Sequence, residues 1–294
     1  MTDPKMLEQI KSGQGFIAAL DQSGGSTPGA LKGYGVAESD YDGEDGMYAA
    51  IHAMRTRIIT SPCFNGDKVI GAILFEKTMD GKADGVPVPE ALWARGVVPF
   101  LKVDKGLEDE ADGIKLMKPM PELDALCERA VEKGIFGTKM RSVIERASRT
   151  GIAAIVEQQF AVAARISAHG LMPILEPEVS IKSAERAQCD VILRDEILRA
   201  LDAMGEGQVM LKLTLPAEAN LFAALVDHPR VLRVVALSGG FAREEACAQL
   251  AQNCGMIASF SRALLSDLRH QMSDEEFDGA LGTAINDIHK ASVA

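Results

Sequence analysis

The 294-residue chain predicts an α/β fold: a single (β/α)8 TIM barrel spanning residues 1–294, with an N-terminal helical or loop extension. Three observations predict it. Short apolar runs recur eight times, each bounded by Gly, Pro or polar residues. The gaps between most of them carry helical spacing. The C-terminal ends of the runs collect charged side chains on one face.

The eight strand-like runs are GFIAALD from Gly15, KVIGAILF from Lys68, VVPFLKVDK from Val97, GIFGTKM from Gly134, LMPILEPEV from Leu171, QVMLKLT from Gln208, RVVALS from Arg233 and MIASFS from Met256. Apolar residues at three- and four-residue spacing predict helices over Met47–Ile59, Gly151–Ala168, Asp190–Met204, Leu221–Val226 and Arg243–Leu250. Pro121, Ser183 and Pro216 stand where helices commonly start. Tyr34–Gly46 and Asp80–Pro89 are rich in Gly and Asp and are expected as surface loops. No linker divides the chain.

Composition narrows the function classes. The chain is 47% hydrophobic and 25% charged, with mean hydropathy +0.04, enough for a sizeable core. A net charge of −11 argues against nucleic acid or an anionic membrane as partner. Five scattered cysteines without a C-x-x-C pair fit a reducing cytoplasm. The polar start predicts no secretory signal, and the apolar runs are too short to span a bilayer. The five histidines fall at no strand end and form no H-x-x-x-H pair, so no metal is expected.

Side chains alternate across a strand, so residues two apart share a face. At the strand ends this groups Ala19 with Asp21, Lys102 with Asp104, Lys139 with Arg141, and Glu176 with Glu178 if the strand persists past Pro177. It also groups Met210, Lys212 and Thr214, and Ala236 with Ser238. Any one of these, taken alone, is an ordinary surface or edge residue. Together they predict one polar site at the mouth of the barrel, where enzymes of this fold keep their chemistry.

Such a ring suits amine catalysis. Lys212 lies in the apolar run VMLKLT, and burial beside other cations helps an amine to shed its proton and attack a carbonyl. Loss of water from the adduct needs an acid, for which Glu176 is the candidate, with Asp21 as a second base. Gly239 and Gly240 in LSGGF precede a helical stretch and can offer backbone N–H groups to a phosphate, with Arg262 nearby. A second Gly/Ser loop, DQSGGS at Asp21–Ser26, predicts a second phosphate.

These residues resemble the class I fructose-1,6-bisphosphate aldolases, most closely the short bacterial form. The motifs FIAALDQSGGS, FLKVDKG, FGTKMRS, PILEPEV, VMLKLT, ALSGG and SFSRAL match in order along nearly the whole chain. The resemblance implies Lys212 as the Schiff-base lysine, Glu176 as general acid and base, and Asp21 in C–C cleavage. Lys139 matches the lysine beside the Schiff base, and Glu178, Arg141 and Asp104 match further site positions. Ser238, Gly239, Gly240 and Arg262 would hold one phosphate, and Ser23, Ser26 and Lys102 the other. The implied reaction is reversible cleavage of fructose 1,6-bisphosphate without metal or other cofactor, in glycolysis or gluconeogenesis. The implied partner is a small phosphorylated sugar, with a homo-oligomer of unspecified size. The alternatives are another Schiff-base or transaldolase-like lyase, or a non-catalytic sugar-phosphate-binding barrel. The chain departs from the long animal forms in carrying Gln22 where they have glutamate, in placing Ser261 directly before Arg262, and in having no tyrosine beyond Tyr48. Without a tyrosine tail, the final proton transfer falls to Glu176 or water.

Overall fold

The computed structural model describes residues 3–294. Eight parallel strands follow one another around the ring: β1 (Phe16–Leu20), β2 (Val69–Leu74), β3 (Val98–Lys102), β4 (Gly137–Ile144), β5 (Met172–Val179), β6 (Val209–Thr214), β7 (Val231–Leu237) and β8 (Met256–Ala258). The ring closes where the Ala19 N–H of β1 donates to the Phe260 carbonyl just past β8, at 3.2 Å. Every predicted run is a strand. β5 continues through Pro177, which sits opposite Ser142, so Glu176 and Glu178 do share a face.

The larger helices lie outside: α1 (Pro4–Ser12), α2 (Thr27–Tyr34), α3 (Gly43–Thr60), α4 (Leu123–Glu132), α5 (Arg149–Ala168), α6 (Arg186–Ala203), α7 (Arg243–Leu250) and α8 (Asp274–Ser292). The Asp80–Pro89 loop expectation fails. That stretch folds as a small hairpin, Lys82–Ala83 against Val86–Pro87, where the left-handed Asp84 and Gly85 permit the turn. A helix, Val88–Trp93, follows directly. The helix expected over Leu221–Val226 shrinks to Ala223–Val226, because Pro216 heads an irregular loop and not a helix.

Register arithmetic places the inward residues in layers drawn from alternate strands. Neighbouring strands pair Ile73↔Phe100↔Gly137 and Ile174↔Met210, then Val235↔Lys212 and Val235↔Ile257. Advancing two residues for every two strands gives one layer of Ile17, Phe100, Ile174 and Val235, all buried in the barrel's own apolar cluster. The next layer up is Ile73, Lys139, Lys212 and Ser259. Above it lie Ala19, Lys102, Glu176 and Leu237. The barrel is thus apolar below and charged from its midpoint upward. Met6 and Ile10 of α1 seal the lower end against the apolar cluster. Glycine is required at 137, since a Cβ there would fall 2.2 Å from the Met172 carbonyl and 2.9 Å from the Phe100 ring.

One buried acid outside the mouth shapes the loop after β6. Asp190 of α6 accepts the Ala217 N–H at 2.9 Å, while its Oδ1 has no partner among the described residues. Burial pushes its pKa up to about 6, against the opposing pull of the Ala217 N–H and Arg186. A folded pKa above the unfolded one gives stability that is full below pH ~4 and lost as pH rises through about 6. Asp190→Asn keeps an acceptor for Ala217 and carries no charge. It is expected to raise stability by roughly 2 kcal/mol at pH 7 and by little at pH 4. Urea titrations of both proteins at the two pH values check this, and an equal change at both refutes it.

Candidate active site

The upper layers and the loops above them line a cavity of about 930 Å³. Twelve of the thirteen residues singled out as catalytic or phosphate-binding line it, as does Asp104; only Gly240 does not. Lys139 is 2% exposed, and Lys212 and Glu176 are 4% exposed each. Three lysines and three acids therefore share a space nearly closed to water, where charge interactions are strong.

The geometry at the floor is a connected chain. Lys212 Nζ lies 3.1 Å from Glu176 Oε1. Lys139 Nζ lies 2.9 Å from Glu176 Oε2, 2.7 Å from Asp21 Oδ2 and 4.0 Å from Asp104 Oδ2. Lys102 Nζ closes the series with Asp104 Oδ1 at 2.8 Å and the Asp104 carbonyl at 2.7 Å. Arg141 and Glu178 pair at 2.5 Å at the rim. Strands β1, β3, β4, β5 and β6 each supply a member at or just past their upper ends, so the rigid sheet sets the distances.

The charges fix one another's protonation. Burial alone would raise the pKa of Glu176, but Lys139 and Lys212 outweigh it and hold the carboxyl below its usual range. The same contest at Asp21 is won by Lys139, Lys212 and Lys102, so Asp21 is also held ionised. Lys139 is pushed the other way: burial disfavours its charge, yet Asp21, Glu176 and Asp104 raise its pKa well above the ordinary lysine range. Two adjacent ammonium groups overcome desolvation, and Glu176 must first take up a proton before it can give one.

The two anion sites differ. Beyond β7, Gly239 and Gly240 adopt left-handed φ values of 59° and 128°. A Cβ on Gly239 would lie 2.6 Å from Ile181, and one on Gly240 would lie 3.2 Å from Arg262 Nη2. Gly240 thus leaves room for Arg262, which lines the cavity without a hydrogen bond or ion pair among the described residues. Across the mouth, Ser26 Oγ donates to the Ser23 carbonyl at 2.9 Å and accepts the Ser23 N–H at 3.1 Å. The Ser26 hydroxyl and Lys102 Nζ are thus already engaged within the protein.

Residues outside the sequence-derived set complete the site. Arg55 of α3 is 0% exposed and donates to Thr78 Oγ1 at 2.7 Å, the Gln22 carbonyl at 2.5 Å and Gln22 Oε1 at 3.1 Å. Gln22 Nε2 donates in turn to Ser261 Oγ at 2.6 Å and the Ala19 carbonyl at 3.2 Å. This belt ties the loop after β1 to the loop after β8, on either side of Asp21 and Arg262. The four-residue spacing of Ile51 and Arg55 on α3 already places that arginine on the buried face. Ser259, two residues past the inward Ile257, carries the same period-two signal.

The family model for class-I fructose-bisphosphate aldolase matches residues 7–225, which spans β1 to β6 with Lys212. A solved fructose-bisphosphate aldolase from Plasmodium falciparum, in complex with TRAP and a small-molecule inhibitor, shares the fold at a TM-score of 0.80. That match has 19% identity and covers 98% of this chain and 93% of the other. A putative orotidine-monophosphate decarboxylase from Toxoplasma gondii aligns over 98% of this chain and 96% of the other, at 11% identity and a TM-score of 0.43, too distant to bear on the fold. Barrel, layered charge and family match agree, and the chain belongs to the class I fructose-bisphosphate aldolase family.

Proposed function

We propose that this chain, acting as one barrel domain, reversibly cleaves fructose 1,6-bisphosphate into dihydroxyacetone phosphate and glyceraldehyde 3-phosphate through a Schiff base on Lys212. The reaction is metal-independent and belongs to cytoplasmic glycolysis or gluconeogenesis. The observation that carries the proposal is the buried run Asp21–Lys139–Glu176–Lys212, with successive contacts of 2.7, 2.9 and 3.1 Å.

The run accounts for the protons. The Lys212 ammonium passes its proton to Glu176, and the freed amine attacks the C2 carbonyl. Glu176, now protonated, returns that proton to the departing C2 hydroxyl, leaving an iminium that accepts electrons when the C3–C4 bond breaks. Ionised Asp21 accepts the C4 hydroxyl proton at cleavage. Lys139 stays cationic throughout and balances both carboxylates. Gly239, Gly240, Ser238 and Arg262 receive the C1 phosphate, and Ser23, Ser26 and Lys102 the C6 phosphate. Arg141 and Glu178 frame the sugar between them.

Incubation with dihydroxyacetone phosphate, borohydride reduction and peptide mapping test the reading directly. A reduced adduct on Lys212, formed equally well in EDTA, is expected. An adduct elsewhere, none at all, or EDTA-sensitive cleavage overturns it. The second phosphate site has its own measurement. Lys102→Ala is expected to raise KM about tenfold for the bisphosphate and much less for fructose 1-phosphate, because a phosphate contact is lost in only one of them. A uniform rise in both removes Lys102 from that role.

A further inference from the structure

The layer that carries Lys139 and Lys212 has a third polar member, Ser259, without an assigned task. Ser259 follows β8, and its N–H donates to the Ala236 carbonyl at 2.7 Å, which fixes the backbone and the side-chain direction. The strand register sets Ser259 level with Lys212, with β7 between them. The residue is 1% exposed and lines the floor of the cavity. Its Oγ has no hydrogen-bond partner among the described residues. A buried hydroxyl left unpaired costs free energy, and serine at this point in an otherwise apolar strand calls for a partner that the protein itself does not supply.

The location limits what that partner can be. C2 of a keto-phosphate must sit at Lys212 Nζ on β6. Its C1 phosphate must reach the Gly239–Gly240 turn and Arg262, which follow β7 and β8. The C1–C2 end of the substrate therefore lies over the β7–β8 side of the floor, above Ser259. Glu176 approaches from the opposite, β5 side of Lys212, at 3.1 Å. We infer that the Ser259 hydroxyl donates a hydrogen bond to the C2 oxygen of the bound keto-phosphate as Lys212 attacks it, holding the carbonyl in place from the side that Glu176 does not cover. The inference rests on the Schiff-base reading of Lys212 above. Ser259 keeps its proton throughout and acts by positioning and polarising the carbonyl.

Ser259→Ala separates this from a packing role, because the two have opposite signatures. Deleting an unpaired buried hydroxyl leaves the melting temperature unchanged or raised. Loss of the contact slows single-turnover trapping of dihydroxyacetone phosphate by borohydride about tenfold. It also lowers kcat/KM by the same factor for fructose 1,6-bisphosphate and fructose 1-phosphate, since C2 is common to both. Ser259→Cys, of similar size and with a weak donor, is expected to fall between Ala and the parent. Trapping within twofold of the parent, a loss confined to the bisphosphate, or a lowered melting temperature in the Ala variant overturns the inference. If the parent protein itself forms no adduct on Lys212, the Schiff-base reading fails instead, so the two failures are distinguishable.

Discussion

Lys212→Met is expected to abolish the borohydride-trapped adduct and to lower cleavage by about 10⁴-fold or more, while the protein stays folded. The amine is the only group in the proposed sequence that becomes covalent with substrate, so no neighbour replaces it. Lys139 lies close by but cannot substitute. Asp21, Glu176 and Asp104 hold its proton against burial, so it has no free lone pair to attack with. Folding survives because Glu176 keeps a cation after the change, Lys139 at 2.9 Å. Lys212→Arg sharpens the result. Arginine preserves the charge opposite Glu176 but does not deprotonate in a protein, so it is expected to be as inactive as methionine. Residual turnover in either variant above about 1% of the parent, with adduct mapped to another lysine, removes Lys212 from the nucleophile's position.

Much of this arrangement is legible in the sequence, for a physical reason. A charge inside a strand is costly unless paired, so Lys102, Lys139, Glu176 and Lys212 stand out against their apolar runs, and the two-residue repeat puts them on one face. The parallel ring then turns a list of strand ends into one cavity. What the sequence does not carry is pairing. It shows that amines and acids converge, but not that Lys139 lies between Asp21 and Glu176, and so not that Glu176 is ionised. That follows only from distances of 2.7 and 2.9 Å. The Arg55–Gln22–Ser261 belt was obscured for a related reason, since its members come from a helix and two loops with no common period. Ser259 was within reach of the two-residue test but is neutral, and a serine near a strand end does not announce itself as a charge does. The Asp80–Pro89 hairpin was missed because Gly and Asp signal a turn without signalling the short strands on each side of it.

Lys139→Met is expected to be the most destabilising single change at the floor, by about 3–5 kcal/mol at pH 7, since it strands buried carboxylates without their common cation. Asp21 loses a contact at 2.7 Å, Glu176 one at 2.9 Å and Asp104 one at 4.0 Å. Asp104 retains Lys102 and Glu176 retains Lys212, whereas Asp21 has no other ion-pair partner among the described residues. The pH dependence identifies the cause. Asp21 and Glu176 have folded pKa values below their unfolded ones, so their stabilisation is present above pH ~4 and is lost as pH falls through the folded values. Lys139 is shifted upward, so its share is full below pH ~10 and declines as pH rises beyond that. The difference between parent and Lys139→Met should therefore be a plateau from about pH 5 to 10 that shrinks on both sides. Denaturant titrations across that range measure it. A difference independent of pH would mean that Lys139 contributes bulk and not charge, and the ionised state assigned to Asp21 and Glu176 would fall with it.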